Sequence, residues 1–313
     1  MVPHIIVTID TEVDKGPGWL ISNPPRFRSV TEGIPNVLTP LFGEFGVKPT
    51  YFVSPEVLED TDCAHIFRDL VQSKVAEVGA HLHPEFVEPG RHLFAHNMAG
   101  HSADQIQRQL SADLEKTKLE NLTRVHEDAL ADRPVTFRAG RFGMSENTLS
   151  MLAGLGYRID SSVTPGIRWG LKEGVLDYRR SPTAPYWVNT PNGKILEVPL
   201  GIRPAGSAAR TLQRWPYLPA RVAAKLIGPS ARPLWFRPGF SSAAQLVEFV
   251  RGSTERIMVL MFHSVEIIPG ANPYFQTQQQ ACAFVDSLRH LFEYCRRESM
   301  RFSFLRDVES LVA

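Results

Sequence analysis

Short apolar runs alternating with longer amphipathic segments fill this chain, and that alternation restricts the fold more than any other feature of the sequence. Residues 5–9, 50–53, 75–81, 135–138, 157–162, 195–200 and 257–262 read as strands, with 302–304 as a last short one. The segments between them read as helices. Residues 34–42 form one that proline interrupts and that ends over 43–46. Residues 102–130 form the clearest, with Ser102 as cap, Gln105 at the capping-box position, and Ile106, Leu110, Leu114, Leu119 and Leu122 roughly on one face. Residues 146–155 form another, closed by Gly156, and residues 280–300 the last. Strands alternating with helices favour a parallel sheet. Seven or eight of them over 313 residues favour a barrel over an open sheet.

A chain of this length buries a substantial core. Its 43% hydrophobic and 21% charged residues are ordinary for a globular protein, and a formal net charge of +1 gives no global field for nucleic acid or membrane. Cys63, Cys282 and Cys295 are odd in number and far apart, which argues against a disulfide framework and a thiolate metal site, and fits a reducing compartment. The first ten residues lack the basic and long apolar regions of a secretory signal, and no run is long enough to span a bilayer. The expectation is a cytoplasmic protein.

Ionisable residues gather at the carboxyl ends of the strands: Asp10 and Glu12, His81 and His83, Arg138, Asp160 and His263. In an α/β barrel that rim is where loops converge and catalytic groups sit. His81 and His83, one residue apart, have the spacing of a metal-ligand pair. A catalytic zinc takes three protein ligands and keeps a position for water, so a carboxylate must join them. Asp10 and Glu12, at the end of the first strand, are the candidates.

These segments, in this order, resemble the motifs of the polysaccharide deacetylase family, also called carbohydrate esterase family 4 or the nodulation-protein-B-like deacetylases. Thr8-Ile9-Asp10-Thr11-Glu12 is similar to the family's Thr-Phe-Asp-Asp, with Thr11 in place of the second aspartate. His81-Leu82-His83-Pro84 is similar to His-x-x-x-His-Pro with two residues fewer between the histidines. Arg138 to Gly143 echoes Arg-x-Pro-x-Gly without its proline. Asp160-Ser161-Ser162-Val163 resembles Asp-x-x-Trp without the tryptophan, and Leu260-Met261-Phe262-His263 matches the Leu-x-His motif.

The resemblance implies an irregular seven-stranded (β/α) barrel over residues 1–313 as one domain, a divalent metal that is most often zinc, and hydrolysis of acetyl groups on sugars. It makes Asp10 the general base, Arg138 the residue that holds that aspartate, Glu12 with His81 and His83 the metal ligands, and His263 the general acid. Asp160 takes the place of the fourth motif's aspartate. The residue types suit this chemistry. A metal lowers the pKa of water and polarises a carbonyl, a permanently charged arginine keeps an aspartate ionised, and a histidine delivers a proton to the leaving nitrogen.

Two further stretches stand out. His92, His96 and His101 lie close together, but without nearby carboxylates they read as a loop rather than a second metal site. Residues 201–240 form a proline-rich insertion with Arg203, Arg210, Arg214, Arg221, Lys225, Arg232 and Arg237, no acid, and Trp215, Tyr217, Leu218, Trp235 and Phe236 between them. Such a surface suits a lipid-linked or phosphorylated sugar or an anionic membrane face, and equally a structural arm across the barrel or onto a second subunit. A homo-oligomer stays open. The leading expectation is a metal-dependent deacetylase acting on an N-acetylated, less readily an O-acetylated, saccharide. Its rivals are a deacetylase-like barrel that binds glycans without turnover, and an amidase for a non-sugar amide.

Overall fold

The computed structural model describes residues 2–94, 106–171, 174–204 and 232–312. In chain order its strands are β1 (His4–Thr11), β2 (Pro49–Val53), β3 (Glu77–Leu82), β4 (Thr136–Ala139), β5 (Ile159–Asp160), β6 (Arg168–Leu171), β7 (Gly174–Asp177), β8 (Tyr186–Thr190), β9 (Gly193–Glu197), β10 (Ile202–Arg203), β11 (Leu234–Trp235), β12 (Ile257–His263) and β13 (Arg301–Phe302). The main sheet runs β12-β1-β2-β3-β4-β5-β9-β8, with β13 beside the start of β1. From β12 to β9 every neighbouring pair is parallel, and β8 closes the series as the antiparallel arm of a hairpin with β9. Strands of a parallel sheet are covered on both faces and so read as continuous apolar runs. β1 is buried along its whole length.

Alternation along β1 assigns its two faces. Ile5, Val7 and Ile9 pack with Val30, Ile34 and Leu38 and with Leu288 and Leu291 in the layer between sheet and helices. Ile6 packs instead with Phe52, Ile159, Leu196, Val259 and Leu305. With a period of two, Thr8 and Asp10 share the face of Ile6, which carries polar groups inward near the carboxyl end of the strand.

Seven consecutive parallel strands agree with the barrel expected from the sequence. Among the described residues no ladder joins β9 to β12. The seam is held by single backbone hydrogen bonds: Gly201 N–H to Val259 C=O at 2.9 Å, Phe236 N–H to Gly201 C=O at 2.7 Å, and Met261 N–H to Phe236 C=O at 3.2 Å. The residues just after β9 and just after β11 fill the gap.

Several boundaries differ from the sequence reading. The strand expected over 157–162 pairs only at Ile159–Asp160, because the Asp160 carboxylate takes the N–H and hydroxyl of Ser162 and turns the chain. The helix clearest in the sequence starts at Ala112, not near residue 102. Ser111 caps it, its hydroxyl accepting from Leu114 N–H. Ile106 and Leu110 flank a short 3₁₀ turn instead, which Gln107 anchors by bonding to Glu115 and Thr148. Ser102 and Gln105 lie outside the described residues. The proline-interrupted helix does not stop at Pro35. Residues 29–38 widen into π turns, with Thr39 N–H reaching back to Ile34 C=O, and the helix continues over Thr39–Phe45 to the left-handed Gly46. A wider turn relieves the clash and missing donor that proline imposes on an α turn.

Of the basic insertion, Arg203, Arg232 and Arg237 fall among the described residues, and Arg210, Arg214, Arg221 and Lys225 do not. His96 and His101 are likewise outside them. No helix among the described residues is long and apolar enough to cross a membrane.

Candidate metal centre

The alternation that turns Asp10 inward does the same for Glu12, and on β3 and just beyond it for His81 and His83. Their donor atoms converge. Glu12 Oε1 lies 3.0 Å from His83 Nε2 and 3.4 Å from His81 Nε2, and the three residues form the one buried group of metal-ligating type among the described residues. The rings of His81 and His83 meet edge to face at 4.8 Å. A small residue makes room for them. A Cβ on Gly140 would come within 2.6 Å of the Leu82 carbonyl and 2.9 Å of the His83 ring.

The donor set fits a divalent ion with nitrogen and oxygen ligands. His81 Nδ1 bonds to the Arg138 carbonyl at 2.9 Å, so it carries the proton and leaves Nε2 free to ligate. Around His83, Arg141 Nη1 donates to Nδ1 at 3.1 Å while Glu85 Oε1 stands 3.6 Å from the same nitrogen. Arg141 offers only donors, so Nδ1 accepts here and the His83 proton lies on Nε2, toward Glu12 Oε1; ligation through Nε2 would move that proton to Nδ1, where Glu85 is the nearest carboxylate. Burial works against protonation of His83, but Glu12 and Glu85 outweigh it and raise its pKa. Glu12 uses its second oxygen, Oε2, for an ion pair with the buried Lys15 ammonium, which leaves Oε1 for a metal. Burial alone would raise the Glu12 carboxyl, yet His83 and Lys15 hold it well below the usual range.

Asp10 sits beside this group. Arg138, fully buried, donates to Asp10 Oδ1 at 2.6 Å, to Thr8 Oγ1 and Ser161 Oγ at 3.0 Å each, and to the Ser161 carbonyl at 2.8 Å. Its guanidinium lies 4.3 Å from the centre of the Phe52 ring. Burial pushes the Asp10 carboxyl up, and Arg138, His81 and His263 more than compensate, so it stays ionised. His263 is brought next to Asp10 by the register of β1 and β12. Its Nδ1 receives Arg237 Nη2 at 3.0 Å, and Glu266 Oε2 takes its backbone N–H at 2.9 Å.

Six of the seven residues singled out in the sequence therefore gather at the carboxyl ends of β1, β3, β4 and β12. Asp160 is occupied otherwise. It is bonded to Ser162 and faces Glu197 across the β5–β9 pairing. Burial raises both carboxyls, and their mutual repulsion raises Glu197 well above its usual value, so this pair holds a proton. Sequence reasoning passed over Lys15, Glu85 and Glu266, and saw Arg141 and Arg237 only as parts of longer stretches. Each pairs a charge at the site: Glu12 with Lys15, Glu85 with Arg141, Glu266 with Arg237. Lys15 three residues after Glu12, and Glu266 three after His263, were the available signals.

No protein-family model and no curated protein matches the chain. Solved structures do. A Mycobacterium smegmatis protein named as a polysaccharide deacetylase is similar over 100% of this chain and 91% of its own, at 16% identity and a TM-score of 0.54. A probable polysaccharide deacetylase from Pseudomonas aeruginosa PAO1 is similar over 98% and 89%, at 14% identity and 0.52. PuuE allantoinase is similar over 98% and 89%, at 13% identity and 0.51. At these identities the likeness shows the fold: this chain has the architecture of the polysaccharide-deacetylase-like barrels, as the resemblance of its motifs implied.

Proposed function

We propose that this protein is a metal-dependent hydrolase that removes an acetyl group from a saccharide. The observation that carries this reading is the convergence of Glu12, His81 and His83 beside an aspartate that Arg138 keeps ionised. The three side chains would hold a divalent ion, zinc being best suited to two imidazoles and a carboxylate. When bound, such an ion lowers the pKa of water and polarises the acetyl carbonyl.

The chain's own residues supply the rest. Asp10, with Oδ1 engaged by Arg138, presents Oδ2 to take a proton from the attacking water. A carboxylate held below its usual range is a weak base, which suits water already made acidic and no other. Arg138 is positioned by four hydrogen bonds, so the aspartate it grips cannot swing away. His263, on the neighbouring strand beside Asp10, would act on the leaving side of the substrate. Lys15 occupies the second oxygen of Glu12, so Oε1 is the atom that would hold the ion.

The test is direct. Purified protein should contain one zinc ion per chain and release acetate from acetylated sugars, and Asp10→Asn should slow release by roughly 10²- to 10⁴-fold while leaving zinc in place. A protein that takes up no divalent ion would sink the proposal. One observation favours a second reading, a glycan-binding barrel without turnover: Asp10, Glu12, Glu85 and Glu266 each already have a cation of their own. Glycan binding by metal-free protein, with no acetate released after metal is added, would establish it. The similarity to an allantoinase makes small cyclic amides the control substrates for an amidase acting outside the sugars.

A further inference from the structure

We infer that Arg237 fixes His263 as a neutral imidazole with its proton on Nε2, and that the site is thereby matched to acetyl esters of sugar hydroxyls rather than to acetyl amides. This rests on the reading of the site as an acetyl hydrolase. Arg237 Nη2 lies 3.0 Å from His263 Nδ1. A guanidinium offers only donors and keeps its proton in proteins. Nδ1 therefore accepts, and an imidazole that accepts at Nδ1 carries its single proton on Nε2.

The arginine has little freedom to move aside. Only 5% of it is exposed. The same Nη2 bonds to Glu266 Oε1 at 3.0 Å, and the guanidinium carbon lies 4.1 Å from the centre of the Phe240 ring. Glu266 in turn holds the His263 backbone N–H through Oε2. Arginine, glutamate and histidine thus form a closed triangle at the end of β12.

The charges that face His263 are Arg237 from the seam segment, Glu266 from the turn after β12, and Asp10 and Glu12 from β1. A free carboxylate would favour the imidazolium, but none of these three is free. Glu266 is paired with Arg237, Asp10 with Arg138 and Glu12 with Lys15. Burial, together with the Arg237 charge, leaves the imidazole pKa below its ordinary value despite them.

The consequence lies in the second half of the reaction. Water adds to the carbonyl carbon and Asp10 takes its proton. The tetrahedral adduct then breaks one bond. From an ester, the electrons of the C–O bond leave on the sugar oxygen, and this alkoxide recovers the proton from Asp10, giving the free hydroxyl and acetic acid, which loses its remaining proton to solvent as acetate. From an amide the electrons would go to nitrogen, whose anion is far more basic, so nitrogen must be protonated as the bond breaks, by the group on the leaving side, His263, before the proton held by Asp10 on the attacking side is passed across. An imidazolium does that well and a neutral imidazole does not. What the Nε2–H of His263 can do is donate a hydrogen bond to an oxygen gathering charge.

A matched pair of substrates, one sugar ring carrying an O-acetyl or an N-acetyl group, and ¹⁵N NMR of histidine-labelled protein test the inference. We expect the His263 Nδ1 resonance to stay at its unprotonated position from pH 8 to below 6.5, its ordinary pKa. We expect kcat/KM for the ester to exceed that for the amide by roughly 10²- to 10⁴-fold, the scale of a missing general acid. In Arg237→Met the His263 pKa should rise and the ester-to-amide ratio should fall by about tenfold or more. Should that variant fold poorly, the wild-type spectrum decides the tautomer alone. A charged His263 at neutral pH, or an amide cleaved as fast as the ester, overturns the inference. If neither substrate is cleaved, the hydrolase reading falls and the ester preference with it, while the spectrum still reports on the histidine.

Discussion

Glu77 and Glu12 are the same residue type at opposite ends of one barrel, both almost completely buried, and their surroundings send them in opposite directions. Glu77, at the start of β3, is held by the hydroxyls of Thr50 and Thr136 at 2.8 Å each and by the Arg306 backbone N–H at 3.0 Å. Among the described residues no side-chain cation pairs with it, and burial raises its pKa. Glu12, beyond the end of β1, meets Lys15 and two imidazoles and stays charged. One end is closed with neutral hydrogen bonds, while the other keeps ionised groups out of bulk water at the cost of dedicated partners. Buried charge retained by dedicated partners is a feature that reactive sites share, and it is the ground for the function proposed above.

This contrast can be broken. The largest effect should come from Arg138→Met, which strands Asp10 as an unpaired buried charge. We expect a loss of about 3–5 kcal/mol in denaturant unfolding, against about 1–3 kcal/mol for Thr136→Val, which removes one neutral hydrogen bond from Glu77. Equal costs would erase the distinction between the two ends. Asp10→Asn keeps the shape and removes the base. Acetate release should drop by roughly 10²- to 10⁴-fold with zinc content unchanged, and a smaller drop would mean that another group takes the proton. Glu85→Gln weakens the acceptor behind His83. A competition titration with a chelator should show zinc held about 10- to 100-fold less tightly, whereas unaltered affinity would remove Glu85 from the centre.

The smallest effect concerns pH. A carboxyl raised in the folded state binds its proton more tightly there than in the unfolded chain. The contribution of Glu77 is therefore present at low pH and is lost as pH rises above its ordinary value of 4.5 and through the raised folded value. Asp10 and Glu12, lowered in the folded state, contribute above the ordinary carboxylate range and lose that contribution as pH falls below it. Glu77→Gln should flatten the decline on the alkaline side by less than about 1 kcal/mol, leaving the acid limb where it was. A shift of the acid limb would show that the two ends are coupled.

What could be read from the sequence follows the same division. Side chains two apart on a strand stay together whatever the loops do, so Asp10 with Glu12 and His81 with His83 were visible as pairs, and strand order brought them to one rim. The partners that set their charge come from irregular stretches. Lys15 reaches Glu12 across a turn, Arg141 has a left-handed backbone at φ 53°, and Arg237 lies in a proline-rich, basic, aromatic-bearing segment that shows no helix or strand period. Their positions depend on tertiary contacts that no local period records. The helix beginning at Ala112 was placed too early because Ile106 and Leu110 continue its apolar spacing by accident while serving a different turn. Asp160 sits at a strand end like the others, but Ser162 two residues on gave its carboxylate a local partner.

The seam between β9 and β12 has a consequence for how such a barrel can be retuned. Strands that share a ladder cannot change one residue's direction without dragging the register of their neighbours. Phe236 is tethered by two isolated bonds, so the next side chain, Arg237, is a replaceable insert set into an otherwise fixed wall. Exchanging that insert for an acid would hand His263 a proton to give away and would disturb none of the strands that carry Asp10, His81 or Arg138. Preference for one leaving group over another can thus be edited at a joint, with the masonry on either side left standing.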